Sequence, residues 1–142
     1  MREKELIELA YKGREQAYTP YSGFRVGAAL LSKSGKVYLG CNIENASYGP
    51  TNCAERTAFF KAVSEGEREF EAIAIVGGPG ESRTGEMCAP CGVCRQVMME
   101  FCHPSEFRII LENGGGEVRT FLLEELLPFG FGPDNLKDSK KE

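Results

Sequence analysis

The sequence predicts a three-layer α/β/α fold built on a mixed sheet of about five strands. Two observations lead to this prediction: strand-like and helix-like segments alternate along the chain, and a tight turn joins the first two strands. The length of 142 residues favours one domain, and a chain of this size buries about two thirds of its unfolded surface. We therefore expect a single domain over residues 1–142, with a flexible, solvated tail from about residue 134.

The first half of the chain predicts a helix, a hairpin and a second helix. Apolar residues at helical spacing among charged ones predict a helix within residues 3–17. Turn-forming residues end it, after which residues 24–31 and 36–43 are predicted as the two strands of an antiparallel hairpin. Residues 52–64 are predicted as the second helix, because Gly66 provides a stop signal.

The second half predicts alternating strands and helices. The apolar run 72–76 is typical of a strand covered on both faces, and a Gly-rich loop leads from it to a predicted helix over residues 91–102. Residues 107–111 and 117–121 are predicted as strands, and 122–127 as a short helix. Two strand–helix–strand connections follow, which predict a parallel part of the sheet and a ligand site beyond the carboxyl ends of its strands.

Composition excludes several classes of protein. The net charge is −4 and no Lys/Arg run precedes the tail, which argues against a nucleic-acid polymer as partner. The first residues lack the apolar core of a signal peptide, and no segment approaches the roughly 18 apolar residues of a membrane span. We therefore expect a soluble, cytoplasmic protein.

The counts of histidine and cysteine limit the kind of site. The single histidine, His103, excludes sites that need two imidazoles from one chain. Six cysteines in a reducing compartment indicate metal binding or catalysis before disulfides.

Three cysteines and one glutamate lie at the starts of two predicted helices. Cys53 and Glu55 begin the second helix, while Cys91 and Cys94 begin the third. Helix N-termini favour thiolates, and three thiolates hold zinc with a fourth position open, as in catalytic sites. Glu55 is turned about 200° from Cys53 around a regular helix, so it is suited to carry a proton rather than to bind the metal. Arg56 would offset the net negative charge of three thiolates on zinc.

Other interpretations of these residues stay open. Asn52 and Glu55 also fit the two positions of a capping box. The CxxC pair at 91–94 fits a redox dithiol, and six cysteines can form three disulfides. Three cysteines are interpreted as small buried residues, with the middle one as an alternative ligand: Cys41, Cys88 and Cys102.

Several motifs together resemble the homotetrameric cytidine deaminases. They lie at residues 18–30, 40–48, 52–58, 90–96 and 124–128, within a resemblance that spans about residues 5–136. The resemblance implies a cytidine deaminase-like fold and the conversion of cytidine and 2′-deoxycytidine to uridine and 2′-deoxyuridine, a step of pyrimidine salvage. It further implies one zinc ion per chain on Cys53, Cys91 and Cys94, a zinc-bound hydroxide that attacks C4, and Glu55 as the proton shuttle.

The same resemblance implies which residues bind the substrate. Asn42 and Glu44 would bind the ribose hydroxyls, which suits an amide and a carboxylate. The backbone of Ala54 and of residues 88–89, Cys88 and Ala89, would meet the pyrimidine edge, and Phe24 would line the base pocket.

The resemblance also implies a homotetramer whose sites are completed by neighbouring chains. Tyr48 falls in a segment used for contact between subunits, and Phe131 occupies the position of the ring that stacks on the base in a neighbour's site. Phe129 is an additional aromatic residue, so the choice between the two rings stays open. Plain packing is the alternative role for Tyr48 and Phe131.

Four other functions compete with a cytidine deaminase. A deaminase of a cytosine nucleoside antibiotic such as blasticidin S would share the metal motif. A dithiol oxidoreductase would use Cys91 and Cys94 without stoichiometric metal, and a non-catalytic zinc domain would use Glu55 only as a cap. A polynucleotide deaminase is disfavoured by the acidic charge balance.

Overall fold

The computed structural model describes residues 1–83 and 86–136, which form one five-stranded sheet with helices on both faces. The strands are β1 (Phe24–Ser32), β2 (Val37–Cys41), β3 (Phe70–Pro79), β4 (Arg108–Glu112) and β5 (Val118–Leu122). The helices are α1 (Glu3–Arg14), α2 (Ala54–Ser64), α3 (Gly92–Phe101), α4 (Leu123–Leu126) and α5 (Pro133–Leu136). The predicted three-layer fold is confirmed.

The sheet has the strand order β2-β1-β3-β4-β5. β1 pairs antiparallel with both β2 and β3, β3 pairs parallel with β4, and β4 pairs antiparallel with β5. β2 and β3 therefore run in the same direction without being neighbours, because β1 lies between them. Of the two predicted parallel connections, only the one from β3 to β4 joins hydrogen-bonded strands. The connection from β2 passes over β1, which a one-dimensional pattern of strands and helices does not reveal.

Each face of the sheet carries its own core. On one side Ile73 and Ile75 of β3 pack in the cluster that includes α2 and α3. On the other side Ala72, Ala74 and Val76 pack against α1. Helices on both faces thus account for the continuous apolar run in β3, since every residue of that run is covered.

The ends of several elements differ from the predicted bounds. α1 ends at Arg14 rather than near residue 17, and residues 15–17 continue only in turn-type hydrogen bonds. The predicted tail begins within α5, and residues 137–142 lie outside the described part of the chain. Within that part, every helix is too short or too polar to cross a bilayer.

Candidate metal centre and substrate pocket

Three cysteine sulfur atoms meet where α2 and α3 begin. Cys53 is the N-cap residue of α2, Cys91 is the N-cap residue of α3, and Cys94 lies in the first turn of α3. The three Sγ atoms lie within 4.8 Å of one another, and those of Cys53 and Cys91 are 3.8 Å apart. Two sulfurs on a tetrahedral zinc, each with a Zn–S bond of about 2.3 Å, are separated by about 3.8 Å. The cluster therefore fits zinc, the predicted cofactor.

Both helices start on a cysteine without a side-chain cap. Cys53 and Cys91 have extended backbone conformations, and neither side chain makes a capping hydrogen bond. The first amides of a helix lack intrahelical partners and carry partial positive charge, which favours thiolates at this position. The capping-box interpretation is wrong, because Asn52 lies outside α2 and its side-chain amide donates to the Thr57 hydroxyl at 3.2 Å.

Arg56 makes the expected contact with sulfur. Its Nη2 donates to Cys53 Sγ at 3.1 Å. A hydrogen bond with Cys94, followed by those with Arg56 and Cys91, lowers the pKa of Cys53 to about 5. The pKa of Cys94 is raised, because its thiol is hydrogen-bonded to Cys53 in the protonated form and because it is buried. A cation next to the cluster thus compensates part of the negative charge that three thiolates bring.

Glu55 lies beside the cluster and outside the set of three ligands. It is 4% exposed, and burial together with the negative charge of Cys53 raises its pKa to about 7. A hydrogen bond from Cys94 acts in the opposite direction on the same carboxyl. A carboxyl group with a pKa near neutrality can both accept and deliver a proton, which is the task of a general acid and base.

The other cysteines are separate from this cluster. All six cysteines are free thiols, so the disulfide interpretation is wrong. Cys41 is buried and Cys102 is half-buried, in agreement with the predicted packing role. Cys88 is not among the clustered sulfurs, which removes it as an alternative ligand. His103 is exposed just after α3.

Phe24, Gly77 and Cys88 lie against one another near the metal cluster, and we name these three residues the base wall. A Cβ atom on Gly77 would lie 3.0 Å from Cys88 Sγ and 3.2 Å from Phe24 Cε1, so both side chains close over the glycine. Burial, then the charges of Glu55 and Cys53, raise the pKa of Cys88 to about 11. Phe24 and Cys88, both expected at the pyrimidine, are therefore brought together. Gly77 is an addition that the sequence did not indicate, because its only signal is the lack of a side chain.

Asn42 and Glu44 follow β2 and are held against the start of β1. Asn42 Nδ2 donates to the Phe24 carbonyl at 2.8 Å, and its Oδ1 accepts from the Val26 amide at 2.9 Å. Glu44 accepts from the amides at 21–22 and from the hydroxyl at 22. Both side chains retain further hydrogen-bonding capacity, since an amide has a second N–H and a carboxylate has several lone pairs.

The backbone between β2 and α2 connects these residues to the metal cluster. Ile43 and Asn52 exchange two backbone hydrogen bonds of 3.0 and 2.9 Å. Cys53 and the fully buried Ala54 come directly after Asn52. The predicted ribose-binding segment and Cys53, a predicted metal ligand, are thus fixed relative to each other.

Tyr48 and Phe131 lie at the surface of the single chain. Tyr48 is 76% exposed and lines a cavity of about 390 Å³ together with Glu44. Phe131 is 55% exposed, and its carbonyl accepts a hydrogen bond from Gln96 at 2.7 Å. Phe129 is fully exposed and has a φ of 54°, in the left-handed region that non-glycine residues seldom adopt. One chain therefore presents all three rings to solvent.

Arg95 is a supporting residue that sequence reasoning missed. Its Nε donates to the carbonyl of Pro90, the residue before Cys91, at 2.7 Å, and its Nη1 donates to the Leu126 carbonyl at 2.5 Å. Arg95 thus ties the start of α3 to the C-terminal region. Side chain to backbone contacts of this kind carry no signal in periodicity or charge pattern.

α2 rests directly on β2 at Gly40. A Cβ atom there would overlap the Ala54 carbonyl oxygen and lie 2.7 Å from the Ala58 nitrogen. We expect Gly40→Ala to push the start of α2 away from the sheet, to cost about 1–3 kcal/mol of stability and to weaken zinc binding. Gly115→Ala is the matched control, because its Cβ would make only an ordinary 3.4 Å contact. Thermal unfolding and zinc titration check the prediction, and unaltered zinc affinity in Gly40→Ala would contradict it.

Comparison with known proteins gives one consistent result. Residues 1–109 match the cytidine and deoxycytidylate deaminase zinc-binding region. The cytidine deaminase of Halalkalibacterium halodurans is 52% identical over 133 residues, which are 94% of this chain and 96% of that protein. The crystal structure of cytidine deaminase from Burkholderia pseudomallei matches with a TM-score of 0.85 and 52% identity, and covers 92% of this chain and 100% of its own.

A relative named for a different substrate also aligns. The blasticidin-S deaminase of Bacillus cereus is 32% identical over 130 residues, covering 89% of this chain and 90% of that protein. The higher identities and the structural match belong to cytidine deaminases, and the three-cysteine cluster supplies the site for one zinc ion per chain. The chain therefore belongs to the zinc-binding cytidine deaminase family, whose members are hydrolases of C–N bonds.

Proposed function

We propose that the chain deaminates cytidine and 2′-deoxycytidine by hydrolysis, with release of uridine or 2′-deoxyuridine and ammonia. The observation that carries the proposal is the cluster of three cysteines with the buried Glu55 beside it and outside the ligand set. A structural zinc site has four protein ligands, whereas this cluster has three cysteines, and the carboxyl of Glu55 is buried beside them.

Each residue of the centre has a distinct task in this proposal. Cys53, Cys91 and Cys94 would hold one zinc ion, and bound zinc acts as a Lewis acid that lowers the pKa of a water molecule. Glu55 would accept one proton from the water and deliver it to N3 of the base, and would then accept the second proton from the same oxygen after its addition to C4 and pass it to the departing amine. The water oxygen replaces the C4 nitrogen, which leaves as ammonia, so atoms and charge balance.

The pocket residues would bind the two halves of the nucleoside. The base wall and the backbone at Ala54 and Ala89 would contact the pyrimidine, while Asn42 and Glu44 would bind the ribose. This assignment is supported by the contacts that place Asn42 on the Phe24 carbonyl and that join the segment after β2 to Cys53 through Asn52.

A side-by-side assay distinguishes the two deaminase functions. Zinc-loaded protein should convert cytidine and 2′-deoxycytidine far faster than blasticidin S, with the nucleoside product identified by chromatography. The Bacillus cereus relative makes the antibiotic the second candidate substrate. Faster turnover of blasticidin S than of either nucleoside would contradict the proposal.

Removal of Arg56 should weaken the metal centre. We expect Arg56→Gln to lower zinc affinity or kcat by about 10- to 100-fold, because the thiolate at Cys53 loses a charged hydrogen-bond donor. Arg119→Gln is the control, since Arg119 is an exposed residue of β5. Zinc competition with a chromophoric chelator and steady-state kinetics measure both effects; wild-type values for Arg56→Gln would contradict this role.

We further propose that the chain is one catalytic domain acting in the cytoplasm in pyrimidine salvage, as a homotetramer with shared sites. Free cysteines suit a reducing compartment. The exposure of Tyr48 and Phe131 on a single chain supports burial against neighbouring chains. In this arrangement Phe131 stacks on the base in a neighbour's site.

Mixing two impaired variants tests the shared sites. Phe131→Ala should lower kcat/KM by about 5- to 150-fold, the usual value of one base–aromatic stack. Glu55→Gln chains supply an intact Phe131, so reassembled mixtures with Phe131→Ala should exceed the summed activities of the separate variants. Phe129→Ala in place of Phe131→Ala decides which ring acts. Purely additive activity in both mixtures, or a monomer by light scattering, would contradict the shared site.

A further inference from the structure

Arg14, the last residue of α1, places a guanidinium group inside the molecule. The residue is only 5% exposed. Its Nε donates to the Arg25 carbonyl at 3.0 Å, and its Nη2 donates to the carbonyls of Gly78 and Gly80 at 3.0 and 2.9 Å. One planar fork therefore joins the end of α1, the start of β1 and the end of β3.

Two of the three carbonyls belong to residues that directly follow members of the base wall. Arg25 follows Phe24 in the chain and Gly78 follows Gly77, and the two strands pair Arg25 with Gly78. Arg25 Nη2 in turn donates to the carbonyls of Arg14 and Glu15, so the end of α1 and the start of β1 are linked in both directions. The positions of Phe24 and Gly77 are thus set by hydrogen bonds one residue away.

The surroundings of Arg14 show that burying its charge is energetically unfavourable. No carboxylate lies within 4 Å of a nitrogen of Arg14 or Arg25 among residues 1–83 and 86–136. Burial and the nearby positive charges of Arg25 and Arg83 lower the pKa of Arg14. A buried cation without an ion pair contributes little to stability compared with an apolar residue of the same volume. Its value is the geometry that its three directed N–H···O hydrogen bonds impose.

We propose that Arg14 is a positioning residue for the base wall, fixing Phe24 and Gly77, and through Gly77 its neighbour Cys88, where the pyrimidine would bind. The inference rests on the proposed function, because it concerns the same substrate. The metal ligands stand on α2 and α3, whereas the hydrogen bonds of Arg14 in the described residues go to carbonyls of β1, β3 and the residue after β3. Arg14 therefore acts on substrate binding and leaves the metal centre intact.

The test is a comparison of zinc-loaded Arg14→Lys and Arg14→Gln with wild type. Lysine keeps the charge and glutamine keeps two N–H groups, but neither reproduces the planar fork. We expect KM for cytidine to rise about tenfold or more, with kcat within about threefold and zinc still at one per chain, as for a loss of uniform binding. Calorimetric binding of uridine should weaken by a similar factor. Arg119→Lys is the control for an exposed arginine.

The outcomes separate the two levels of the proposal. An inactive zinc-loaded wild type would contradict the proposed function and the inference with it. An active wild type with unchanged KM and uridine affinity in folded Arg14→Lys and Arg14→Gln would overturn the inference alone. Failure of both variants to fold at low temperature would also overturn it, because Arg14 would then serve the fold as a whole.

Discussion

Glu55→Gln is expected to lower kcat for cytidine by at least about 10²- to 10⁴-fold, the usual contribution of a general acid and base. Glu55 would move protons at three atoms in turn, the water oxygen, N3 and the departing amine, and the amide of glutamine can do none of these transfers. The substitution is nearly isosteric, and Glu55 is not among the clustered ligands, so zinc should stay at one per chain.

Stopped-flow or steady-state kinetics with zinc analysis on the same sample measure this effect. Glu100→Gln is the matched control, because Glu100 is an exposed carboxylate on α3, the helix that supplies Cys91 and Cys94. Near-normal turnover in zinc-loaded Glu55→Gln would exclude Glu55 as the proton carrier. Loss of zinc in that variant would instead show that the carboxyl supports the metal.

Cys91→Ala is expected to abolish activity by removing zinc. The Sγ atoms of Cys53 and Cys91 are 3.8 Å apart, as two sulfurs on one tetrahedral zinc would be, and Cys91 is the most exposed of the three. Two remaining thiolates leave the ion with too few protein ligands to compete with water and cellular thiols. Elemental analysis of purified protein should find well below one zinc per chain.

Cys102→Ala provides the control for this substitution. Cys102 is a free, half-buried thiol at the end of α3 that lies outside the cluster, so its removal should leave zinc and turnover at wild-type levels. Full zinc occupancy in Cys91→Ala would remove Cys91 from the ligand set. Loss of zinc in both variants would point to general destabilisation of α3.

Local pattern was sufficient to predict the layers of the fold and the cluster of three cysteines. The apolar run at 72–76 and the helix signals after Cys53 and Cys91 follow from burial and from backbone chemistry at helix starts, and both are readable in one dimension. The order of the strands in the sheet could not be predicted from local pattern, because the insertion of β1 between β2 and β3 depends on contacts between residues far apart in sequence. The N-cap position was also wrong by one residue, which removed the capping-box alternative at Asn52.

The supporting residues of the site were the least predictable part. Arg14 and Arg95 act through backbone carbonyls of distant segments, and any residue type offers a carbonyl. Gly77 acts through an absent side chain. These contacts leave no periodic or charge signal, and the motif at residues 90–96 includes Arg95 without indicating its partners, whereas the cysteines give a direct signal because few residue types can bind zinc.

The most direct test of the central claim is one experiment on the wild-type protein. Ultraviolet absorbance follows the loss of cytidine, chromatography and an ammonia assay quantify products, and zinc per chain is measured on the same sample. The account predicts one zinc per chain and equal amounts of uridine and ammonia. One zinc per chain with no product would indicate a non-catalytic zinc domain, and a reversible disulfide between Cys91 and Cys94 without zinc would indicate a dithiol protein; either result would contradict the account.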